Sequence, residues 1–239
     1  MIVVLLLIDG LGYHFLHQAP FWQSHTVFPL KNTVPTITAP NWWTILTGKG
    51  PEKHGITVNE QVSRPSYRYT QGTLVDDALQ TGFQVTFISD WAMMRKILPL
   101  SNPNITFVHT RQVWSAATTA LKQTTKKKKT LIVINYSRLD TVGHTTGWDS
   151  LGYQRSLQRL DRATHHLYTE LVAQEKPFLL CGTADHGGHG LDHEEAHEPS
   201  IRQVPWLCVQ SGVVKHRRST RKFRCTKHIR PWLKTHAFN

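Results

Sequence analysis

Residues 33–59 read TVPTITAPNWWTILTGKGPEKHGITVN, and the rest of the chain is interpreted most simply as support for this stretch. An apolar run that starts near Trp42 and stops at Thr47 and Gly48 predicts a short helix, because Pro40 suits the first helical turn and glycine the position after the last. Thr38 therefore lies just before a predicted helix N-terminus. Unpaired N–H groups and the positive end of the helix dipole favour an anion there, phosphate above all. The stretch predicts that the Thr38 hydroxyl can meet a phosphorus atom.

A purely structural role for Thr38 fits the same residues. Threonine is an ordinary N-cap, and a helix that packs through Trp42 and Trp43 would use one. A catalytic threonine additionally needs a base or a metal ion that ionises its hydroxyl. The choice between the two roles therefore depends on carboxylates and histidines elsewhere in the chain.

The length of 239 residues predicts one domain, residues 1–239, large enough to bury a hydrophobic core. The formal net charge of +12 is unevenly distributed, since no Asp or Glu follows Glu198. Residues 202–239 form a basic C-terminal segment, and such a segment can bind nucleic acid, an anionic membrane surface or a phosphorylated substrate. A solvated basic face is the alternative interpretation. Nothing in the sequence indicates an oligomeric state.

Three cysteines, Cys181, Cys208 and Cys225, show no metal-site spacing and are predicted to be reduced thiols in the core or on the surface. The N-terminal run Ile2–Ile8 is apolar but too short to span a bilayer, and it has neither a basic leader nor a small-residue cleavage site. It resembles a first strand. No transmembrane segment is predicted elsewhere, and we expect a cytoplasmic protein.

Apolar strands alternate with helical segments along the chain. Continuous apolar runs predict strands buried on both faces at residues 2–8, 130–136 and 177–183, and residues 83–89 are predicted as another strand that ends at Asp90. Residues 204–209 are a further strand, which Pro205 restricts to a sheet edge or a strand beginning. Helical periodicity occurs at residues 74–79, 91–98 and 112–121, and again after Asp149 and Ser150, which are predicted to cap a long amphipathic helix. The alternation predicts an α/β domain with a mostly parallel sheet.

Acids and histidines follow three of these strands. Asp9 comes directly after the first, Asp140 and His144 follow residues 130–136, and Asp185 and His186 follow residues 177–183. Ligands of α/β proteins bind beyond the carboxyl ends of the strands. Aspartate and histidine suit zinc and other divalent ions, and two ions about 4 Å apart can clamp both oxygens of a phosphoryl displacement. The sequence therefore predicts a metal site, which would also activate the threonine at the helix start.

Four motifs occur in order along the chain. They are the Asp-Gly after the first strand, TITAPNWWTILTGKGPEKHGI at residues 36–56, DTVGH at 140–144, and ADHGGHG at 184–190 followed by further histidines and VPW. Together they resemble the type I phosphodiesterase and nucleotide pyrophosphatase branch of the alkaline phosphatase superfamily. The resemblance implies an alkaline-phosphatase-like three-layer sandwich with a mostly parallel central sheet. It also implies two divalent metal ions, for which the histidines favour Zn²⁺, with Mn²⁺ or Mg²⁺ as alternatives.

Position by position, the resemblance implies two sets of metal ligands. One set is Asp9, Thr38, Asp185 and His186, and the other is Asp140, His144 and a later histidine. The spacing in the family favours His193 as that histidine, with His197 as the competitor and His189 as the least favoured. Thr38 would also be the nucleophile. Asn59, which follows HGI as in the pyrophosphatases, would help to hold a non-bridging phosphate oxygen.

The implied function is hydrolysis of phosphate esters, at phosphodiester or nucleotide pyrophosphate bonds. Thr38 would attack phosphorus and expel an alcohol, and hydrolysis of the phospho-threonine would complete the reaction. The substrate would be a phosphate-ester small molecule or a nucleotide. A phosphomonoesterase of the same superfamily is one alternative. A basic nucleic-acid-binding module is another, although it leaves the acids and histidines at the strand ends unexplained.

Overall fold

The computed structural model describes residues 1–69, 72–125, 128–195, 197–211 and 223–238, and a single β-sheet lies at its centre. The described residues contribute seven strands: β1 (Ile2–Ile8), β2 (Val27–Lys31), β3 (Phe83–Ser89), β4 (Ile105–His109), β5 (Lys129–Tyr136), β6 (Phe178–Ala184) and β7 (Gln203–Gln210). Their order across the sheet is β2-β7-β6-β1-β5-β3-β4. β7 is antiparallel to both neighbours and the other pairs are parallel. The predicted mostly parallel α/β sheet is therefore confirmed.

Helices connect these strands. They are α1 (Pro20–Gln23), α2 (Thr38–Thr47), α3 (Pro51–His54), α4 (Asn59–Ser63), α5 (Leu74–Gln80), α6 (Val113–Lys122), α7 (Arg138–Thr146), α8 (Leu151–Ala173), α9 (Pro199–Arg202) and α10 (Ile229–His236), with 3-10 helices at Tyr13–Gln18, Ala92–Ile97 and Thr226–His228. The Ser150 hydroxyl accepts the Tyr153 N–H and so caps α8, as the sequence predicts. α2 ends at Thr47 before Gly48, also as predicted.

The central strands are buried on both faces. Every residue of β1 and β6 is buried, and so is β5 from Thr130 to Tyr136. Leucine and β-branched residues dominate them, because both sides of each strand pack against helices. These buried strands support the segments that leave their carboxyl ends.

Helices cover both faces of the sheet. On one face, Trp22 of α1 packs over Gly182 of β6, and α1 and α6 contact α8. On the other face, Trp206 of β7 meets Trp232 of α10 edge-on, and α10 contacts α2 and α5. The two contacts lie on opposite faces because Trp206 pairs with Thr183, the neighbour of Gly182. The result is a three-layer arrangement.

Some elements differ from the sequence prediction. β2 and β4 were not predicted, because both are short and partly exposed and so lack a continuous apolar run. Residues 92–97 form a 3-10 helix within the predicted helix at 91–98. The prediction of an edge position for Pro205 is wrong, since β2 lies outside β7. Pro205 pairs with Pro29 of β2, and the β6 ladder stops one residue away at Trp206.

The basic C-terminal segment is partly built into the fold. Arg230 donates to both carboxylate oxygens of the buried Asp77 at 2.7 and 3.1 Å, and Lys234 reaches the same carboxylate at 3.3 Å. Arg202 donates to the Asn32 side chain at 2.8 Å. Residues 212–222, with five of the ten Lys and Arg residues of the segment, lie outside the described residues. Arg202, Arg230 and Lys234 of this segment therefore bind other parts of the chain, and the predicted external partner of the segment stays a prediction.

The cysteines are free thiols. Cys181 and Cys208 face each other across β6 and β7, with Sγ atoms 3.5 Å apart. Among the helices of the described chain, none combines the length and the apolar character needed to cross a membrane.

Candidate metal centre

Strand register brings three chain segments together at the carboxyl edge of the sheet. β1, β5 and β6 end level with one another, because Ile8 pairs with both Tyr136 and Ala184. The chain then leaves the sheet at Asp9, at the start of α7 and at Asp185. This edge is where open α/β sheets bind ligands.

Asp9, Asp185 and His186 form the first group of side chains at this edge. Their ligand atoms all lie within 4.8 Å of one another. His186 Nε2 is 3.5 Å from Asp9 Oδ1 and 3.4 Å from Asp185 Oδ2. The other oxygen of Asp185 accepts the N–H groups of Gly10 and His186 at 3.2 and 2.9 Å. These two bonds fix the carboxylate and leave Oδ2 facing the group.

The second group shares His186 and adds Asp140 and His193, again with ligand atoms within 4.8 Å. α7 places His144 one turn after Asp140, and His144 Nε2 lies 3.5 Å from Asp140 Oδ1. The His193 ring stacks on His186 with centroids 3.8 Å apart, and its centroid is 5.0 Å from that of His144. The structure thus brings together every aspartate and histidine that the sequence proposes as a ligand.

Backbone carbonyls orient the three imidazoles in the same way. Nδ1 lies 2.8 Å from the Leu191 carbonyl in His144, 2.9 Å from the Gly187 carbonyl in His186 and 2.6 Å from the Thr36 carbonyl in His193. A carbonyl only accepts hydrogen bonds, so Nδ1 carries the proton in each ring. In the neutral rings Nε2 is then a free lone pair. Such a backbone partner is what holds metal-ligating histidines in proteins.

The pKa values of Asp9, Asp185 and His186 at this edge are shifted far from the usual values of these side chains. Burial, and then repulsion from Asp185 and Asp140, raises the pKa of Asp9 well above its usual value. Burial and then repulsion from Asp140 raise the pKa of Asp185 in the same direction. Burial, and then the nearby His193, lowers the pKa of His186 well below its usual value. Without a cation, Asp9 and Asp185 are therefore favoured as neutral, protonated carboxyls, because their charged forms are buried beside one another.

Bound metal ions would remove this conflict. Among the described residues, the buried atoms Asp9 Oδ1, Asp140 Oδ1, Asp185 Oδ2 and His186 Nε2 have no hydrogen-bond partner. Each unpaired buried group costs about 1–3 kcal/mol, and native proteins contain few of them. A divalent cation accepts carboxylate oxygens and imidazole nitrogens as ligands at once. The residues present therefore fit divalent metal ions.

The three candidate histidines after Asp185 occupy different environments. His193 is half-buried against His186 and His144. His197 has a side chain that is 82% exposed and lies 3.5 Å from Glu195. His189 is 61% exposed and lies 3.0 Å from Glu198. The geometry favours His193 over both competitors.

We expect His193→Ala to lose about one metal ion per chain, whereas His197→Ala keeps the wild-type content. The half-buried His193 supplies a ring nitrogen within 4.8 Å of an Asp140 oxygen, and the exposed His197 supplies nothing to the group. Elemental analysis of dialysed, folded protein measures the difference. Equal metal content in the two variants, or loss in His197→Ala alone, would contradict the assignment of His193.

Thr38 is the first residue of α2, and the N-cap is Ile37. No side chain caps this helix end, so the capping role considered for Thr38 is wrong. The Thr38 hydroxyl makes no hydrogen bond to any residue that the structure describes. It is only partly buried. The hydroxyl is therefore free to meet a ligand.

Two contacts tie the start of α2 to its surroundings. Asn59 Oδ1 accepts the N–H of Ala39, the residue after Thr38, at 2.8 Å. The Thr36 hydroxyl donates to the His193 carbonyl at 2.6 Å, and the Thr36 carbonyl accepts from His193 Nδ1. Thr38 lies between these anchors, so it is placed beside the amide of Asn59 and beside the histidine loop.

Other histidines have structural roles. His54 Nδ1 accepts the Ile56 N–H at 3.1 Å while Nε2 lies 3.2 Å from the Pro40 carbonyl, so the ring joins α3 to α2. Burial lowers the pKa of His54 to about 4. His165 stacks on Phe21 with centroids 5.1 Å apart, on the face covered by α8. These rings lie outside both groups.

The sequence did not point to Trp148 and Tyr153, which contact the backbone next to the candidate ligands. Trp148 Nε1 and the Tyr153 hydroxyl both donate to the Gly10 carbonyl, at 2.9 and 2.8 Å. Gly10 has a φ of +76°, and a Cβ there would lie 2.8 Å from the backbone of Asp140. Trp148 directly follows Gly147, the residue after α7. The chain contains eight tryptophans, and nothing in the sequence distinguishes Trp148 from the others.

Residues 3–211 match a family model described as type I phosphodiesterase / nucleotide pyrophosphatase. No curated protein matches the chain in sequence. The predicted resemblance to this family is thereby confirmed.

Solved structures share the fold. Murine ectonucleotide pyrophosphatase / phosphodiesterase 5, in an inactive form in complex with AMP, is 18% identical, with a TM-score of 0.65 over 77% of this chain and 56% of that one. The C-terminal periplasmic domain of a phosphoethanolamine transferase from Campylobacter jejuni is 11% identical, with a TM-score of 0.61 over 88% and 79%. TAB5 alkaline phosphatase with Mg bound in its M3 site is 11% identical, with a TM-score of 0.64 over 99% and 98%. The alkaline-phosphatase-like fold is confirmed, and the chain spans little more than half of the murine protein.

Proposed function

The chain belongs to the type I phosphodiesterase / nucleotide pyrophosphatase family, and we propose that it is a two-metal hydrolase of phosphate esters that works through a phospho-threonine at Thr38. The observation that carries the proposal is the set of unpaired acceptor atoms at the ends of β1 and β6 and on α7. Of the eleven buried unpaired atoms in the described residues, these four belong to side chains that converge within 4.8 Å of one another in two groups, which is the arrangement that a bound cation would satisfy. The hydroxyl of Thr38, the first residue of α2, would supply the nucleophile.

We assign the ligands to two ions. One ion would be held by Asp9, Thr38, Asp185 and His186, and the other by Asp140, His144 and His193. Zinc is favoured by three histidines with free Nε2 atoms, and Mn²⁺ or Mg²⁺ are the alternatives where carboxylates dominate. When bound, such ions supply Lewis-acid stabilisation of charge on the phosphoryl oxygens and favour ionisation of a bound hydroxyl.

The side chains of the site have separate tasks in this reaction. Thr38 Oγ1 forms the bond to phosphorus as the bond to the leaving alcohol breaks, and water later cleaves the phospho-threonine. Asn59 uses Oδ1 to accept from Ala39, which leaves its Nδ2 hydrogens as donors for a non-bridging phosphate oxygen. The start of α2 adds the positive end of a ten-residue helix.

The proposed substrates are phosphodiesters or nucleotide pyrophosphates. The solved structure of the murine relative contains AMP, which supports a nucleotide as one substrate class. A phosphomonoester is the alternative within the same chemistry, because monoesterases and diesterases differ in the groups that meet the remaining phosphate oxygens. We propose the basic segment 202–239 as the contact for an anionic partner.

A substrate panel tests the proposal. Protein loaded with Zn²⁺, Mn²⁺ or Mg²⁺ is assayed with an aryl phosphodiester, an aryl phosphate and an aryl sulfate, beside metal-free protein. We expect metal-dependent release from the phosphodiester above the other two. Preference for the aryl phosphate would favour the monoesterase alternative. Absence of stoichiometric metal, with no turnover after any metal is added, would remove the basis of the proposal.

Asn59→Ala should lower kcat of the loaded enzyme by roughly one to three orders of magnitude, the scale of losing one oxyanion donor. The same change also removes the acceptor for the Ala39 N–H. Asn59→Asp separates the two effects, because it keeps the acceptor and loses the donor. We expect Asn59→Asp to be impaired at least as strongly. Near wild-type turnover in Asn59→Asp alone would show that Asn59 acts by holding α2.

A further inference from the structure

Trp148 contacts all three chain segments that carry candidate ligands. Its Nε1 donates to the Gly10 carbonyl, directly after Asp9, at 2.9 Å. Its backbone N–H donates to the Gly190 carbonyl in the loop after β6, also at 2.9 Å. Its ring meets His144 edge-on, with centroids 5.1 Å apart. One buried residue thus joins the exit of β1, helix α7 and the exit of β6, the first two through its side chain and the third through its backbone.

Two glycines allow the indole to lie this close. A Cβ atom at Gly143 of α7 or at Gly188 of the loop after β6 would overlap the five- and six-membered rings of Trp148. The side chain is 1% exposed, so its position is set on every side. The histidines adjoin these contacts: His144 follows Gly143 directly, and the His193 ring centroid lies 6.2 Å from Trp148. Displacing the indole would therefore move His144 and His193 relative to Asp9 and Asp185.

We infer that Trp148 is the positioning residue of the second metal site: it sets the placement of His144 and His193 against the first group. The inference rests on the proposed function, since it concerns the same two ions. The first group has supports of its own, because Asp185 Oδ1 is held by two backbone N–H groups and Tyr153 also donates to the Gly10 carbonyl. Loss of Trp148 therefore acts mainly on the second ion.

Trp148→Phe is the test, because it keeps an aromatic ring while removing the Nε1–H and part of the indole. We expect the second Zn²⁺ to bind about 10–100-fold more weakly, the scale for loss of an outer contact to metal ligands, and the first to bind as in the wild type. Stepwise Zn²⁺ titration by calorimetry measures both, at a temperature where circular dichroism shows the variant folded. We expect kcat at low Zn²⁺ to fall with little change in KM, and excess Zn²⁺ to restore it.

Trp22→Phe is the matched control. Trp22 is also fully buried and packs over a glycine, Gly182, but on the face covered by α1. The Trp22→Phe variant should be less stable than the wild type but should bind Zn²⁺ with the same affinity. Wild-type affinity in Trp148→Phe, or equal weakening in Trp22→Phe, would overturn the positioning role while the proposed function stands. A wild-type protein that binds no metal would overturn both.

Discussion

Thr38→Ala should eliminate turnover while both metal ions stay bound and the fold stays intact. We expect kcat to fall by at least about four orders of magnitude, because removal of the nucleophile acts on this scale in other covalent hydrolases. The hydroxyl makes no hydrogen bond within the described chain and caps no helix, so its loss leaves no protein group unpaired. Asp9, Asp185 and His186 remain as ligands of the first ion. Turnover of an aryl phosphodiester, metal content and melting temperature are the three measurements.

Two further variants separate the chemistry of Thr38 from its place in α2. Thr38→Ser keeps a hydroxyl and should retain measurable turnover, whereas Thr38→Val keeps the branched shape and should lose it. Rapid quenching of the wild type, followed by mass spectrometry, should detect phospho-threonine at position 38. Substantial turnover in Thr38→Ala with both ions bound would mean that water attacks phosphorus directly and that Thr38 is only a helix-start residue.

The strand ends could be predicted from sequence because their signal is local. A continuous apolar run followed by an aspartate identifies both a buried strand and the point where it leaves the sheet, as at Asp9 and Asp185. Parallel order then brings these exits together without any knowledge of side-chain contacts. Asp140 and His144 were also found by their position after a strand. α7 explains their spacing, because it places the two side chains one helical turn apart.

The remaining parts of the site depend on contacts that sequence spacing does not encode. Family spacing favoured His193 among three histidines, but its bond to the Thr36 carbonyl, which joins residues 157 positions apart, is visible only in the fold. Trp148 is recognised only when Gly143 and Gly188 are seen to lie against its ring. The short edge strand β2 was missed because VFPLK is half-exposed and contains a proline. Tertiary packing rather than local propensity decided each of these positions.

The contacts of Asp185 suit metal binding but destabilise the metal-free protein. Its Oδ1 is satisfied by two backbone N–H groups, and its Oδ2 faces the unprotonated Nε2 of the neutral His186 ring at 3.4 Å, so that without a metal ion the carboxyl is satisfied only by taking up a proton, which is why burial raises its pKa. Asparagine keeps the acceptor Oδ1 and replaces Oδ2 with an NH₂ group that can donate to His186 Nε2 and to Asp9 Oδ1. We therefore expect Asp185→Asn to stabilise the metal-free protein and to destroy the metal site.

Without metal, Asp185→Asn should gain on the order of 1–3 kcal/mol, the cost of the buried groups it satisfies. For a chain of this size that is a rise in melting temperature of roughly 2–4 °C per kcal/mol. With Zn²⁺ at 1,000 times its Kd, the wild type should gain about 4.1 kcal/mol and the variant almost nothing, so the order of stability reverses. Turnover of Asp185→Asn should be undetectable at every metal concentration.

Asp161→Asn is the control for the sign of this effect. Asp161 is also buried, but its two oxygens accept the N–H groups of Phe21 and Trp22 at 3.2 Å each, so asparagine turns one acceptor into a donor that faces a donor. It should lower the melting temperature equally with and without Zn²⁺. A metal-free Asp185→Asn that melts below the wild type would show that the carboxylate is already satisfied within the protein. The unpaired atoms would then no longer argue for metal, because the conflict that the ions resolve would not exist.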